Sequence, residues 1–141
     1  MRKAIFLFGI ILFSFAIQAQ DKSEPKPVAP YSPAVMTAGG MLFISGQIPI
    51  DPKSGKLMKG DISQETRIAM ERIGILLEKN NMNFSNLVKC TIFLTDIRDY
   101  QKVNKVYASF FEDEFPAREA IEISNLPLGA SIEISGIAAK R

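Results

Sequence analysis

The sequence predicts one α+β domain, with two helices laid on one face of a mixed sheet. Three observations predict it. Strand-like and helix-like segments follow one another in the order β-β-α-β-α-β-β. The two helical segments carry apolar residues at three- and four-residue spacing, the pattern of a helix with one buried stripe. Several strands are apolar on both sides, yet two helices cover only one side of a sheet. The uncovered face must meet another surface, and a second copy of the chain is the simplest supply.

Residues 1–19 read as a targeting segment and not as fold. Arg2 and Lys3 lead an almost unbroken apolar run from Ala4 to Phe15, and the small residues Ala16 and Ala19 precede the polar Gln20-Asp21-Lys22-Ser23. That is the layout of a secretory signal peptide. The run is short for a membrane span, which takes about 20 residues; an uncleaved N-terminal anchor is the competing reading. Cleavage is placed after Ala19, with Ala16 as the alternative. The chain is therefore expected to be exported, periplasmic or secreted, with no stable membrane contact after cleavage.

Residues 20–33, with Pro25, Pro27, Pro30 and Pro33, form an extended lead-in. The domain proper is expected over 34–141. Met41-Leu42-Phe43-Ile44 is a compact apolar strand introduced by the Gly39-Gly40 turn. Asp51-Pro52-Lys53-Ser54-Gly55-Lys56 is a turn of the kind that joins two strands. A helix is expected to start at Asp61, whose side chain can cap free N–H groups, with Gln64 completing a capping-box pattern. Ala69, Ile73, Leu76 and Leu77 supply its stripe, and Asn80-Asn81 end it. Leu87 to Leu94 is a strand. A second helix follows from about Asp99, with Tyr100, Val103, Tyr107, Phe110 and Phe111 at helical spacing, read as core. Two closing strands span roughly 117–123 and 130–139, separated by Asn125-Leu126-Pro127-Leu128-Gly129.

Composition narrows the chemistry. Of 17 Lys plus Arg, Arg2 and Lys3 leave with the signal, so 15 basic residues face 15 acidic ones. A neutral chain lacks the basic surface that drives binding to phosphate backbones, so nucleic acid is not an expected partner. There is no histidine, which removes Ser-His-Asp triads, Cys-His pairs and most zinc sites. The single cysteine, Cys90, can form no intrachain disulfide and lies in the strand-like Val88-Lys89-Cys90-Thr91-Ile92, where an inert core thiol is expected.

Two charged residues interrupt apolar, strand-like sequence: Arg118 in Phe115-Pro116-Ala117-Arg118-Glu119-Ala120, and Glu133 in Ser131-Ile132-Glu133-Ile134. Burying an unpaired charge is expensive, so each needs a partner or a purpose. The planar fork of Arg118 suits a carboxylate; an ion pair with Glu119, Glu122 or Glu133 is the plainer alternative. Glu133 points to the face opposite Ile132 and Ile134, where it is either a general base toward water or a solvated carboxylate. The two share a face if their strands pair antiparallel and in register. Gly46, in Ser45-Gly46-Gln47-Ile48-Pro49, lets backbone approach a ligand closely or marks a bulge. Tyr31 is a phenol on a tethered loop. Asn83-Phe84-Ser85 matches a glycosylation sequon and Ser23-Glu24-Pro25-Lys26 matches S-x-x-K, both short enough to be chance.

Taken together, Ala29-Pro30-Tyr31-Ser32-Pro33, Leu42-Phe43-Ile44-Ser45-Gly46-Gln47-Ile48-Pro49, Asp96 with Asn104 and Tyr107, Phe115-Pro116-Ala117-Arg118 and Ile132-Glu133-Ile134 resemble the RidA (YjgF-like) family of enamine/imine deaminases, across about residues 29–141. The resemblance implies a chorismate-mutase-like domain, assembled as a homotrimer with a central barrel and clefts between subunits. It implies that Arg118 grips the substrate carboxylate and Glu133 positions the attacking water, with Tyr31, Ser45, Gly46 and Ala120 lining the pocket. Ala120 stands where many relatives carry cysteine, so no thiol-dependent regulation is implied. Glu119 takes the place of the usual small hydroxyl residue, and strand alternation should turn it away from the cleft. Ser135-Gly136 replaces the usual acidic-alanine pair.

The implied activity is that of a 2-iminobutanoate/2-iminopropanoate deaminase-like hydrolase, which turns 2-aminoacrylate-type enamines and 2-imino acids into 2-oxo acids and ammonia. An imine carbon is already electrophilic, so the chemistry calls for no metal, no cofactor and no covalent nucleophile. Two other classes stay in view. One is an exported, non-enzymatic trimer that binds small carboxylates or unfolded clients. The other is a ribonuclease, an activity attributed to relatives, against which the neutral charge and missing histidine count.

Overall fold

The computed structural model describes residues 29–140. The segment read as a signal peptide, the cleavage sites and the S-x-x-K match lie outside them. Five strands and two helices follow in order: β1 (Ala34–Met36), β2 (Met41–Gln47), α1 (Ile62–Glu78), β3 (Leu87–Leu94), α2 (Tyr100–Ala108), β4 (Ala117–Glu122) and β5 (Ile132–Ala139). The strands form one mixed sheet in the order β1-β2-β5-β3-β4.

Local chemistry explains most boundaries. The Asp61 carboxylate accepts the Ser63 N–H at 3.2 Å, capping α1 as expected. Gln64 contributes its backbone N–H, bound to Asp61 O. The longer-range contact there comes from Glu65, only 2% exposed, which accepts from Gly60 N and from Ser131 N and Oγ. It ties the start of α1 to the approach to β5. Past the end of α1, Asn81 takes a left-handed φ of 56°, a conformation asparagine tolerates better than most residues.

The two-strand unit at the N-terminal end differs from expectation. Asp51–Lys56 does form a tight turn, with Asp51 accepting from Lys53 N, Ser54 N and Ser54 Oγ, but it closes only an isolated bridge between Ile50 and Leu57. Next to that bridge Pro49 accepts from Met58 N but has no N–H to return, so the ladder does not extend. The hairpin forms one turn earlier, β1 against β2 across Gly39-Gly40, where Gly40 takes φ 80°.

The sequence left the pairing of the last two strands open, and the structure decides it. β4 and β5 are not neighbours: β3 lies between them, parallel to β4 and antiparallel to β5. The parallel pair needs a crossover, and α2 supplies it.

The core lies between sheet and helices. Ala69, Ile73, Leu76 and Leu77 from α1 and Val103 and Tyr107 from α2 close over Leu42, Ile44, Cys90, Ile92, Leu94, Ile132, Ile134 and Ala138. Among the described residues no helix covers the other face. On it, Val35, Phe43 and Ile121 are 53%, 47% and 44% exposed, the uncovered apolar surface that the sequence pattern anticipates.

Candidate functional site

Register assigns each charged residue to a face. Arg118 pairs with Cys90, and Cys90 with Gly136, so Arg118 lies on the helix-covered side. Glu133 pairs with Phe93, and Phe93 with Ile121, an odd number of positions along each strand, so Glu133 lies on the uncovered side. The antiparallel juxtaposition considered from sequence does not occur. Three residue rises and two strand spacings put the two Cα atoms about 14 Å apart, on opposite faces. Within one chain they do not meet.

Arg118 is half-buried beneath α2. Its Nη1 donates to Asn104 Oδ1 at 2.7 Å and its Nη2 to Tyr100 OH at 3.0 Å. The guanidinium carbon lies 5.6 Å from the Tyr100 ring centroid and 5.0 Å from that of Tyr107, within cation–π range. None of the carboxylates proposed from sequence pairs with it. Glu119 faces away and binds Lys89 Nζ at 3.1 Å and Thr91 Oγ1 at 3.0 Å, contacts that hold its carboxyl below the usual range, chiefly through Lys89 and then Thr91. Glu122 accepts from Ile97 N. The arginine is thus oriented by neutral acceptors and aromatic faces, with its charge uncompensated by any described residue.

The orientation has a local cause. Asp96 caps the short turn Ile97–Asp99 by accepting from Arg98 N, and its contacts with Arg98 hold its carboxyl down to about 2. That turn launches α2 and sets Tyr100 and Asn104 over β4. Ala120, two residues along β4 on the same side, packs against the core beside Arg118. Cys90 is fully buried and burial pushes its thiol up, as an inert core cysteine should behave. Tyr107 is both core and ligand of Arg118, whereas the periodicity marked it as core alone.

Glu133 belongs to a second cluster, with Ser45 and Gly46. β2 carries a bulge between Ile44 and Gln47, the second of the two sequence readings of Gly46. A Cβ built on Gly46 would overlap Glu133 Oε1; only glycine leaves room for that carboxylate. Among the described residues nothing donates a hydrogen bond to Glu133, and burial pushes its carboxyl above the ordinary range. Ser45 Oγ donates to Ser32 O at 2.7 Å and Ser45 N to Pro33 O, which anchors the loop carrying Tyr31, itself 50% exposed.

The six residues singled out from sequence therefore fall into two groups: Arg118 with Ala120, and Glu133 with Ser45, Gly46 and the Tyr31 loop. Sequence reasoning missed Tyr100 and underused Asn104 as the partners of Arg118. Their spacing on α2 puts both on one helical face, a signal that needs the β3-α2-β4 crossover before it can be read. Among the described residues no cluster of metal-ligating side chains occurs.

Comparison with known proteins is consistent across the chain. The family model for Endoribonuclease L-PSP matches residues 21–140. A RutC family protein from Pyrococcus horikoshii is 47% identical over 119 residues, 84% of this chain and 94% of that protein. The human 2-iminobutanoate/2-iminopropanoate deaminase is 40% identical over 114 residues, 81% of this chain and 82% of that enzyme. The crystal structure of the YjgF gene product of E. coli superposes with a TM-score of 0.77 at 34% identity, covering 83% of this chain and 93% of that one.

Proposed function

The chain belongs to the Endoribonuclease L-PSP family, the YjgF/RidA proteins, and from that premise we propose that it is a hydrolytic deaminase of reactive enamines and 2-imino acids. The family includes named 2-iminobutanoate/2-iminopropanoate deaminases at about 40% identity. The observation that carries the reading is Arg118, a guanidinium held in place by Asn104 and Tyr100 with no carboxylate on it. Such a group binds an incoming carboxylate without first losing an ion pair.

In this reading Arg118 fixes the carboxylate of the 2-imino acid and turns its C=N carbon toward a water held by Glu133. The Glu133 carboxylate takes a proton from that water as the new C–O bond forms to the protonated imine. The C=N pair settles on nitrogen, leaving a neutral tetrahedral carbinolamine. Protonated Glu133 gives the proton to the amino nitrogen. As the C–N bond breaks, the carbinolamine hydroxyl passes its proton to the Glu133 carboxylate and becomes the C=O, so a 2-oxo acid and ammonia leave. Glu133 then releases to solvent the proton that the imine brought. Positioning and general-base assistance carry the rate; the latter is worth about 10²–10⁴-fold. Desolvation of Glu133 suits the role, because it raises the basicity of the carboxylate.

Opposite faces in one chain call for a cleft between copies, Arg118 from one and Glu133 from the next. The exposed Val35, Phe43 and Ile121 and the unpaired outer edge of β4 supply surface for such an assembly, which we propose to be a homotrimer. The test is release of 2-oxo acid from an imine generated in situ by an amino-acid oxidase. Arg118→Ala is expected to lower kcat/KM at least about 100-fold. Equal activity in that variant refutes the role of Arg118. Carboxylate binding with no turnover favours a non-enzymatic binding trimer instead.

A further inference from the structure

A second arginine borders a cavity outside both clusters. Arg72, half-buried on α1, lines a space of about 90 Å³ together with Tyr31, Gln47, Ile50 and Asp51. Its Nε donates to Gln47 Oε1 at 3.1 Å, and its Nη1 reaches Ile50 O at 3.5 Å. Both acceptors are neutral. Among the described residues no carboxylate pairs with it. Asp51, the acid in the same wall, turns its oxygens onto Lys53 N, Ser54 N and Ser54 Oγ.

The cavity connects to the candidate site through hydrogen bonds and through a shared wall. Gln47 is 3% exposed and donates its Nε2 to Ser45 O at 2.9 Å, so it is clamped between Ser45 and Arg72. Tyr31, whose loop is anchored on Ser45, forms part of the cavity lining. The bond to Gln47 fixes one edge of the guanidinium, and the rest of the fork keeps donors for an anion. A space of this size has room for a carboxylate.

We propose that this cavity is a second carboxylate subsite, in which Arg72 grips the far carboxylate of a dicarboxylic ligand and biases the chain toward dicarboxylic 2-imino acids. The identity of the near end, an imino acid held by Arg118, rests on the deaminase reading above. The far-end preference can be measured without turnover. Glutarate and butanoate, a stable dicarboxylate and a monocarboxylate, are titrated calorimetrically into the wild type, Arg72→Gln, Arg72→Lys and Arg118→Ala. A fork-to-carboxylate contact predicts wild-type affinity for glutarate about tenfold above that for butanoate. Arg72→Gln removes the preference. Arg72→Lys keeps the charge, loses the fork and falls between the two, which decides the matter if the Gln variant does not fold. Arg118→Ala weakens both ligands.

A preference that is absent in the wild type, or unchanged in Arg72→Gln, overturns the subsite. The two readings fail separately. Arg72-dependent binding without release of 2-oxo acid retires the deaminase and leaves the subsite. Turnover without an Arg72-dependent preference retires the subsite alone.

Discussion

Arg118 and Glu133 project from opposite faces of one sheet, with β3 between the strands that carry them. The two residues proposed for catalysis do not meet within one chain. The proposed chemistry therefore depends on assembly.

Mixing variants tests that dependence. Arg118→Ala and Glu133→Gln proteins are each expected to be inactive. Unfolded together in equal amounts and refolded, they should regain activity, because some clefts combine an intact Arg118 with an intact Glu133 from another copy. Random assembly of a closed ring predicts about one quarter of wild-type activity per cleft. No recovery in a mixture proven to co-assemble refutes a shared site.

Gly46→Ala should act on Glu133 and leave Arg118 alone. The added methyl would occupy the space of the Glu133 carboxylate, so one of the two must move. Steady-state kinetics should show kcat reduced about tenfold or more, with a smaller change in KM, since misplacing a base removes an interaction made in the transition state. A pure KM effect would move Glu133 from catalysis to binding.

Burial pushes the Glu133 carboxyl up, and linkage sets the sign of the consequences. A carboxyl with a raised folded-state pKa adds stability below its unfolded value, near 4.3, and loses it as pH rises through the folded value. Glu133→Gln is therefore expected to melt higher than wild type at neutral pH, with the difference shrinking as the buffer is taken down into the ordinary carboxylate range. The wild-type kcat/KM should fall over that same descent, as the base is protonated. A melting difference independent of pH contradicts the desolvated carboxylate.

Leu128 takes a left-handed φ of 57° and is 72% exposed. Side chains without a local hydrogen-bonding group lose about 1–2 kcal/mol in that conformation. Leu128→Asn should therefore raise stability by up to about 1 kcal/mol in denaturant unfolding, with activity retained. A loss of stability would mean that the Leu128 side chain makes a contact worth more than the strain.

Much of the fold was legible from local chemistry. Asp61 and Asn81 bracket α1 through a cap and a left-handed turn, and the stretch Leu87 to Leu94 is the strand β3 at both ends. Alternation correctly turned Glu119 away from Arg118. The Asp51–Lys56 turn misled because its internal hydrogen bonds look the same whether or not strands extend beyond it. Tyr100 and Arg72 could not be read as partners of a site, since the groups they bind lie on other elements.

The sequence by itself determined the two helices, the strands β2 to β5 and their order, the uncovered apolar face and the identity of the two charges that belong to no core. These follow from periodicity and capping, which act over a few residues. The tertiary structure alone decided that β3 inserts between β4 and β5, because the α2 crossover forces a parallel pairing that no local pattern encodes. That one choice of neighbour set Arg118 and Glu133 on opposite faces of the sheet and gave the arginine Asn104 and Tyr100 for partners.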